Sequence, residues 1–151
     1  MATLDPLVKQ QGTILQLIGM GIVLFSARGC TQTLSPIPAA KVLRRTINGD
    51  LVDVSYSQFD KYSTEISCKD MLAPALDGIW PGREITIHCI AELIVASGQP
   101  ITRPAVSGSQ YDDGNGFTHY RPVIDVRVVE FQTGTEEWAA SVNWKLTCEE
   151  K

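Results

Sequence analysis

Apolar and polar residues alternate with a period of two along two long segments of the chain. In EITIHCIAEL the apolar phase consists of Ile85, Ile87, Cys89, Ala91 and Leu93. In WAASVNWKLTC it consists of Trp138, Ala140, Val142, Trp144, Leu146 and Cys148. This alternation is typical of antiparallel strands with one buried and one solvent-exposed face. The pattern therefore predicts two strands and places both tryptophans, Trp138 and Trp144, in the core.

Further strands are predicted between these segments and the N-terminal third of the chain. VIDVRVVEF, residues 123–131, alternates through Val128, and the pair Val128-Val129 then predicts a β-bulge or a two-sided strand. Asn48-Gly49 in RRTINGDLVDV predicts a β-hairpin with a type I′ turn, because both central residues of that turn need positive φ. AAKVLRR is compatible with a helical turn or with a strand entry, and STEISC indicates a short strand.

Two segments lack this alternation. KDMLAPALDGIWPG has prolines and glycines around Trp80 and is predicted to be a structured connection. Residues 98–121 are rich in Gly, Pro, Ser and Asp, and loops of this length are usually functional or disordered, so we expect a contact surface there. With no long amphipathic helix in the pattern, the predicted fold is all-β: an antiparallel β-sandwich or small barrel with a long loop and an N-terminal arm.

The apolar run TILQLIGMGIVLFSARGC resembles an export signal that ends at Cys30. The residues before the run carry no cluster of Lys or Arg, and Arg28 stands where a lipoprotein cleavage site needs a small residue. The run is also too short for a transmembrane helix. We therefore expect residues 1–24 to be an N-terminal arm or first strand, retained in the fold or used in assembly, and residues 25–151 to form a single β-sandwich domain.

Composition narrows the class of partner. The formal net charge is −4, which argues against nucleic acid as the main partner. Residues 1–47 hold five basic residues and one acidic residue, a balance of +4, whereas the remainder holds eight basic and sixteen acidic residues, a balance of −8. This asymmetry is compatible with solvated faces alone. It would also allow the N-terminal part of one copy to dock on the body of the next.

The sequence contains little that indicates catalysis or metal binding. The two histidines, His88 and His119, accompany no nucleophile motif, so we expect no enzymatic activity and no cofactor. YDDGNG offers oxygen ligands but does not match the calcium-loop spacing, and a glycine-rich turn is the simpler interpretation. The four cysteines show no C-x-x-C spacing, which predicts buried, reduced thiols, with disulfides as the alternative.

Five segments together resemble small structural proteins of tailed bacteriophages and prophages: FSARGCTQTLSPI, LRRTINGDLVDVSYSQFDKYSTEISC, PALDGIWPG, YRPVIDVRV and EEWAASVNWKL. They cover most of the chain from residue 25 onward. The resemblance implies a β-rich virion protein that folds in the host cytoplasm and is present in many copies. It carries over no catalytic or binding residues, because such proteins have no site motif to map.

Under this resemblance the expected function is a non-enzymatic structural component of the virion, tail-associated and ring-forming. The alternatives are a capsid decoration protein that stabilises the head and a monomeric module that binds a receptor or glycan through residues 98–121. Expected partners are further copies of the chain and neighbouring tail or major capsid proteins, without nucleic acid or membrane. The candidate assembly contacts are Arg28, Arg44, Arg45, Trp80, Arg103, Tyr111, Asp112, Asp113 and Tyr120.

Overall fold

The computed structural model describes residues 14–22, 26–38 and 42–151, and this part of the chain is almost entirely β-structure. The strands in chain order are β1 (Gln16–Ile18), β2 (Thr31–Pro36), β3 (Leu43–Arg45), β4 (Leu51–Asp53), β5 (Tyr62–Asp70), β6 (Glu84–His88), β7 (Leu93–Ala96), β8 (Tyr111–Asp112), β9 (Phe117–Tyr120), β10 (Val123–Thr135) and β11 (Val142–Glu150). A short 3-10 turn, Ser57–Phe59, precedes β5. The predicted all-β class is confirmed.

All strand pairs are antiparallel and form three sheets. The large sheet has the order β1-β6-β10-β11-β5-β2, the hairpin β3-β4 forms a second sheet, and β7-β9-β8 forms a third. Within the described residues the large sheet has two edges, β1 and β2, which fits a sandwich and not a closed barrel. Gln16–Ile18 thus form a first strand, whereas residues 1–13 lie outside the described part of the chain.

The core lies against one face of the large sheet. Every second side chain of a strand points to this face. Buried residues of neighbouring strands lie opposite one another there, in the pairs Ile124–Ile87, Val126–Ile85 and Leu146–Ile66. The buried cluster comprises Leu15, Leu17, Ala27, Ile66, Cys68, Ile79, Ile85, Ile87, Cys89, Ile124, Val126, Val128, Trp144, Leu146 and Cys148. Each fully buried Leu or Ile of this kind contributes about 1.5–3 kcal/mol.

The bulge predicted at Val128-Val129 is confirmed. The register between β10 and β11 shifts between Val128 and Glu130, so that Val128 pairs with Cys148 while Phe131 pairs with Leu146. Val128 is buried and Val129 is exposed. Because the extra residue reverses the alternation, Phe131 returns to the core face, where it is partly buried.

The strand predicted over residues 84–93 divides in two. β6 ends at His88, and the chain then crosses from the large sheet to β7 in the small one. The amides of Ile90 and Ala91 donate to the side-chain Oε1 of Gln32, and Gln32 Nε2 donates to Thr64 Oγ1. One half-buried amide side chain therefore replaces strand pairing at the crossover, and Ala91 and Leu93 are likewise only half-buried.

The prediction that Trp138 belongs to the core is wrong. β11 begins at Val142, and residues 136–141 form the turn that joins β10 to β11. Trp138 is 94 % exposed, whereas Trp144 is 2 % exposed and donates its indole N–H to the Ser26 carbonyl at 2.7 Å. The alternation in the sequence continues past the end of the sheet, where there is no core for Trp138 to enter.

Candidate assembly surfaces

The β3-β4 hairpin is exposed on both faces. All six strand residues are exposed, and Leu43 and Leu51 retain 57 % and 58 % of their accessible surface. Its strands contact chiefly each other. A two-stranded hairpin without a buried face is marginally stable in water at best. The exposed aliphatic side chains therefore make this hairpin a candidate contact surface.

The register of the hairpin separates two chemically different faces. Arg44 pairs with Val52, and the amide of Val54 donates to the Val42 carbonyl, so Val42, Arg44, Val52 and Val54 share one face. We call this set the valine face; it has a cation and no acidic residue. The opposite face has Leu43, Arg45, Leu51 and Asp53.

The predicted Asn-Gly hairpin is confirmed, but its turn differs from type I′. The Gly49 amide donates to the Thr46 carbonyl, and the Thr46 amide donates to the Asp50 carbonyl. These bonds define a three-residue loop in which Gly49 adopts a positive φ of 86°. Such a loop is a type I turn followed by a left-handed residue, a position that glycine occupies without steric cost.

The hairpin emerges from one end of the large sheet. Pro36, the last residue of β2, pairs with Tyr62, the first residue of β5, so residues 37–61 are an excursion between paired strands. Arg103 fixes the base of this excursion. It bonds Glu150 through Nε and Nη2 at 2.6 and 2.9 Å, donates to the Asp60 carbonyl at 2.7 Å, and stacks over the Tyr62 ring.

A second exposed feature lies at the other end of the same sheet. Glu136, Glu137 and Trp138 belong to the turn between β10 and β11, and all three are exposed. We call these residues the acidic tip. Val142, the first residue of β11, pairs with Asp70, the last residue of β5, so the tip is at the opposite end from Tyr62. The 3.4 Å rise per residue makes β11 about 27 Å long.

The small sheet β7-β9-β8 has an exposed face with aromatic side chains. Ile94 pairs with His119, which also pairs with Tyr111, and Ala96 pairs with Phe117. Ile94, Tyr111 and Phe117 are exposed, and the Tyr111 ring stacks on the His119 ring with centroids 4.9 Å apart. Residues 98–121, predicted as a long loop, therefore contain two strands, and the surface expected there is the face of a sheet.

His119 lies between two carboxylates on this face. Its Nε2 is 2.9 Å from Asp113 Oδ2, and its Nδ1 is 3.5 Å from Glu92 Oε2. The hydrogen bond to Asp113 raises the pKa of His119, and burial opposes this effect only in part. The same bond lowers the pKa of Asp113, which also accepts hydrogen bonds from the amides of Asn115 and Phe117.

Three of the predicted contact residues have internal roles in this structure. Arg28 bonds Asp70 through its side chain, with Nη2 at 2.8 Å from Oδ1, and also through its backbone amide; this pairing lowers the pKa of Asp70. Arg103 anchors the base of the hairpin excursion, as described above. Tyr120 is completely buried, so its side chain presents no surface to a partner. Sequence alone does not indicate these distant pairings or the burial of Tyr120, and the Arg28 side chain stays 42 % exposed beside its partner.

The other predicted contact residues lie on the surface in three places. Arg44 and Arg45 are in β3, and Arg45 donates to the Gly49 carbonyl. Trp80, in the connection between β5 and β6, is 74 % exposed. Tyr111 and Asp113 surround His119, and Asp112 accepts a hydrogen bond from Ser97. The predicted contacts therefore fall into separate elements, with Arg44 and Arg45 in one and Tyr111, Asp112 and Asp113 in or next to another.

The cysteines are free thiols in environments that suppress thiolate chemistry. Cys68, Cys89 and Cys148 are buried, and Cys30 is half-buried. Burial raises the pKa of Cys89 to about 11 and that of Cys148 to about 12. Because the thiolate is the reactive form, these side chains behave as small apolar core residues.

Within residues 14–22, 26–38 and 42–151, no group of three or more His, Cys, Asp or Glu side chains is placed to hold a metal ion. The same residues include no helix that is long and apolar enough to cross a membrane. Comparisons with protein-family models, with curated proteins and with solved structures give no match for this chain.

Three surface elements escaped the sequence analysis. The sequence analysis did not predict the valine face, because a predicted hairpin can be either covered or exposed and its sequence does not distinguish the two. Of the acidic tip, the sequence analysis considered only Trp138 and predicted that it belongs to the core. Glu92 belongs to the segment EITIHCIAEL, and no pattern in the sequence indicates that it lies beside His119.

Proposed function

We propose that this chain is a non-enzymatic structural subunit that assembles with further copies of itself through the β3-β4 hairpin. The observation that supports this proposal is the exposure of both hairpin faces, including the aliphatic side chains of Leu43, Leu51 and Val54. A partner that covered one face would supply the buried surface that a two-stranded hairpin lacks. The rigid large sheet would hold the hairpin in a fixed direction through the contacts of Arg103.

The setting we propose for this assembly is the virion of a tailed bacteriophage, in a tail-associated ring. The resemblance of the five sequence segments supports the virion. The position of the hairpin and the acidic tip at opposite ends of one sheet supports a ring, because head-to-tail contacts between different surfaces close into rings when the rotation between copies allows it. A capsid decoration protein is the alternative within the same class.

A receptor- or glycan-binding module is a second candidate function, and one observation favours it. The exposed face of the small sheet combines Tyr111, Phe117 and the charged pair His119–Asp113, and stacked aromatic rings beside carboxylates are a common way to bind polar ligands. A monomer that binds a glycan or receptor through this face would favour the module over the structural subunit.

The mass of the purified chain in solution tests the proposal. Sedimentation velocity should give a ring or smaller oligomer whose population grows with concentration, and replacing residues 43–53 by a short Gly-Ser linker should give a monomer with an unchanged circular dichroism minimum. A chain that remains monomeric at every concentration would contradict the structural-subunit proposal. Cryo-microscopy of particles that contain the chain would then distinguish a tail position from a head position.

A further inference from the structure

We infer that the valine face of the β3-β4 hairpin in one copy binds the acidic tip of the next copy. This inference rests on the proposed self-assembly and identifies the two surfaces that meet. The partner is a second copy of this chain, and the contact is head-to-tail: each copy offers its hairpin to one neighbour and its tip to the other.

Charge supports this pairing. The valine face combines Arg44 with Val42, Val52 and Val54 and has no acidic residue. The acidic tip combines Glu136 and Glu137 with Trp138 and has no basic residue. Each surface therefore has an apolar part and a single sign of charge, and the signs are opposite. Charges arranged in this way guide encounter and fix the register of a contact.

The exposed Trp138 provides the apolar part of the contact. A tryptophan side chain buries 150–250 Å² when it is fully covered, and tryptophan is enriched among the residues that dominate binding energy at interfaces. At 94 % exposure Trp138 has almost all of this surface available. Three valines offer a flat aliphatic surface for the indole ring, and a guanidinium beside it can stack on the ring face.

The two surfaces do not meet within one copy. The hairpin excursion leaves the large sheet beside Tyr62, and the tip lies beyond Val142 at the other end of a strand about 27 Å long. Both surfaces are exposed in the single chain. A contact between two copies satisfies both surfaces at once and leaves one of each free for the next copy, as a ring or chain of subunits requires.

Mixing two variants of the full chain tests the head-to-tail arrangement. Trp138→Ala removes the tip contact and leaves the hairpin intact, whereas Arg44→Glu reverses the charge of the hairpin and leaves the tip intact. Each variant alone should be at least tenfold weaker in self-association than the unaltered chain by sedimentation velocity. Mixed in equal amounts, they should form a one-to-one dimer and nothing larger, because only one functional hairpin and one functional tip remain.

Val129→Ala serves as the matched control, since Val129 is also exposed but lies outside the proposed contact and is not among the predicted assembly contacts. It should associate like the unaltered chain. Circular dichroism of each variant should match the unaltered chain, and the triple variant Arg44→Glu with Glu136→Arg and Glu137→Arg should recover association through the reversed charges. That recovery would show that the single variants fail at the contact and not in folding.

The outcomes separate the two proposals. If the unaltered chain assembles but Trp138→Ala assembles equally well, the tip is not the contact and this inference is wrong while self-assembly stands. If the mixed variants form no dimer, the contact is not head-to-tail and the inference is also wrong. If the unaltered chain is monomeric at every concentration, the proposed function fails and this inference fails with it.

Discussion

The large sheet and the β3-β4 hairpin both consist of antiparallel strands with aliphatic side chains, but these side chains are buried in the sheet and exposed in the hairpin. In β11, Trp144, Leu146 and Cys148 alternate with exposed residues and lie in a continuous buried face. In β3 and β4, aliphatic and charged side chains occur together on both faces, and every strand residue is exposed. The difference is packing: residues outside the strands, such as Leu15, Ala27 and Ile79, pack in the core against one face of the large sheet, whereas no strand residue of the hairpin is buried. The large sheet therefore determines stability, and the hairpin is available for a partner.

An aspartate introduced at an aliphatic position should change the free energy of unfolding by very different amounts in the two regions. Leu146→Asp would bury a carboxylate at a site with no accessible surface, and we expect it to lower the free energy of unfolding by at least about 3 kcal/mol. Val52→Asp in the hairpin should change it by about 0.5 kcal/mol or less. Urea titration followed by circular dichroism measures both.

Asn143→Asp, next to the core positions of β11 but on the exposed face, is the control for Leu146→Asp and should stay within about 0.5 kcal/mol of the unaltered chain. If Val52→Asp and Leu146→Asp destabilise the chain equally, the hairpin is part of the folding core and the contrast between the two regions is wrong.

Arg103 joins the two regions, and its loss should have an intermediate effect. Arg103→Gln removes the paired bonds to Glu150 and the bond to the Asp60 carbonyl. Hydrogen bonds between charged groups contribute about 1.5–3 kcal/mol, so thermal unfolding should shift down by several degrees. Self-association should weaken as well, because the base of the hairpin excursion loses its fixed direction.

Lys69→Gln, an exposed substitution in β5, should change neither property. Loss of stability in Arg103→Gln with unchanged association would mean that Arg103 supports the large sheet alone and does not orient the hairpin.

The smallest effect is expected at His119 in the small sheet. Its raised pKa means that the ion pair with Asp113 stabilises the fold fully below the unfolded value of about 6.5, and this contribution fades as pH rises through the higher folded pKa. The lowered pKa of Asp113 means that the contribution persists above about 3.9 and is lost as pH falls through the folded value. The stabilising window therefore lies between about pH 4 and 6.5.

Thermal unfolding of His119→Gln and of the unaltered chain across this range measures the effect. The melting temperature of the unaltered chain should exceed that of the variant by on the order of 2 °C near pH 5.5 and by less at pH 8.5. The difference is small because the ion pair is partly exposed. His88→Gln is the control and should show no such difference. A gap between His119→Gln and the unaltered chain that is the same at both pH values would show that the ion pair does not titrate as described.

Much of the large sheet follows from sequence because its information is local. The alternation in 84–88 and 142–148 and the doubled valine at 128–129 all depend on neighbours within a few residues. The errors concern distant contacts. Nothing local shows that β11 begins only after Trp138, or that Gln32 replaces strand pairing beside Ile90.

The side-chain partners of the predicted contact residues were also not predictable, because these partners are distant in the sequence. An arginine is ordinarily expected to be exposed and free for a partner. In the structure, however, Arg28 and Arg103 pair with carboxylates that are 42 and 47 residues away in the sequence. Tyr111 and Asp113 were predicted only as contact residues within residues 98–121, and the structure places both beside His119 at the small sheet. The valine face is exposed because no other part of the described chain packs against it. A local sequence pattern cannot show whether such packing occurs.

Hydrogen–deuterium exchange at low and high protein concentration tests the central contrast most directly. Amides of Thr46, Gly49 and Val54 bond only within the hairpin, so they should exchange rapidly in the dilute monomer and become protected as the chain assembles. Amides of β11 should be protected equally at both concentrations. Hairpin amides as slow as those of β11 in the dilute monomer, or unchanged on assembly, would contradict the account that the hairpin is stabilised by a partner.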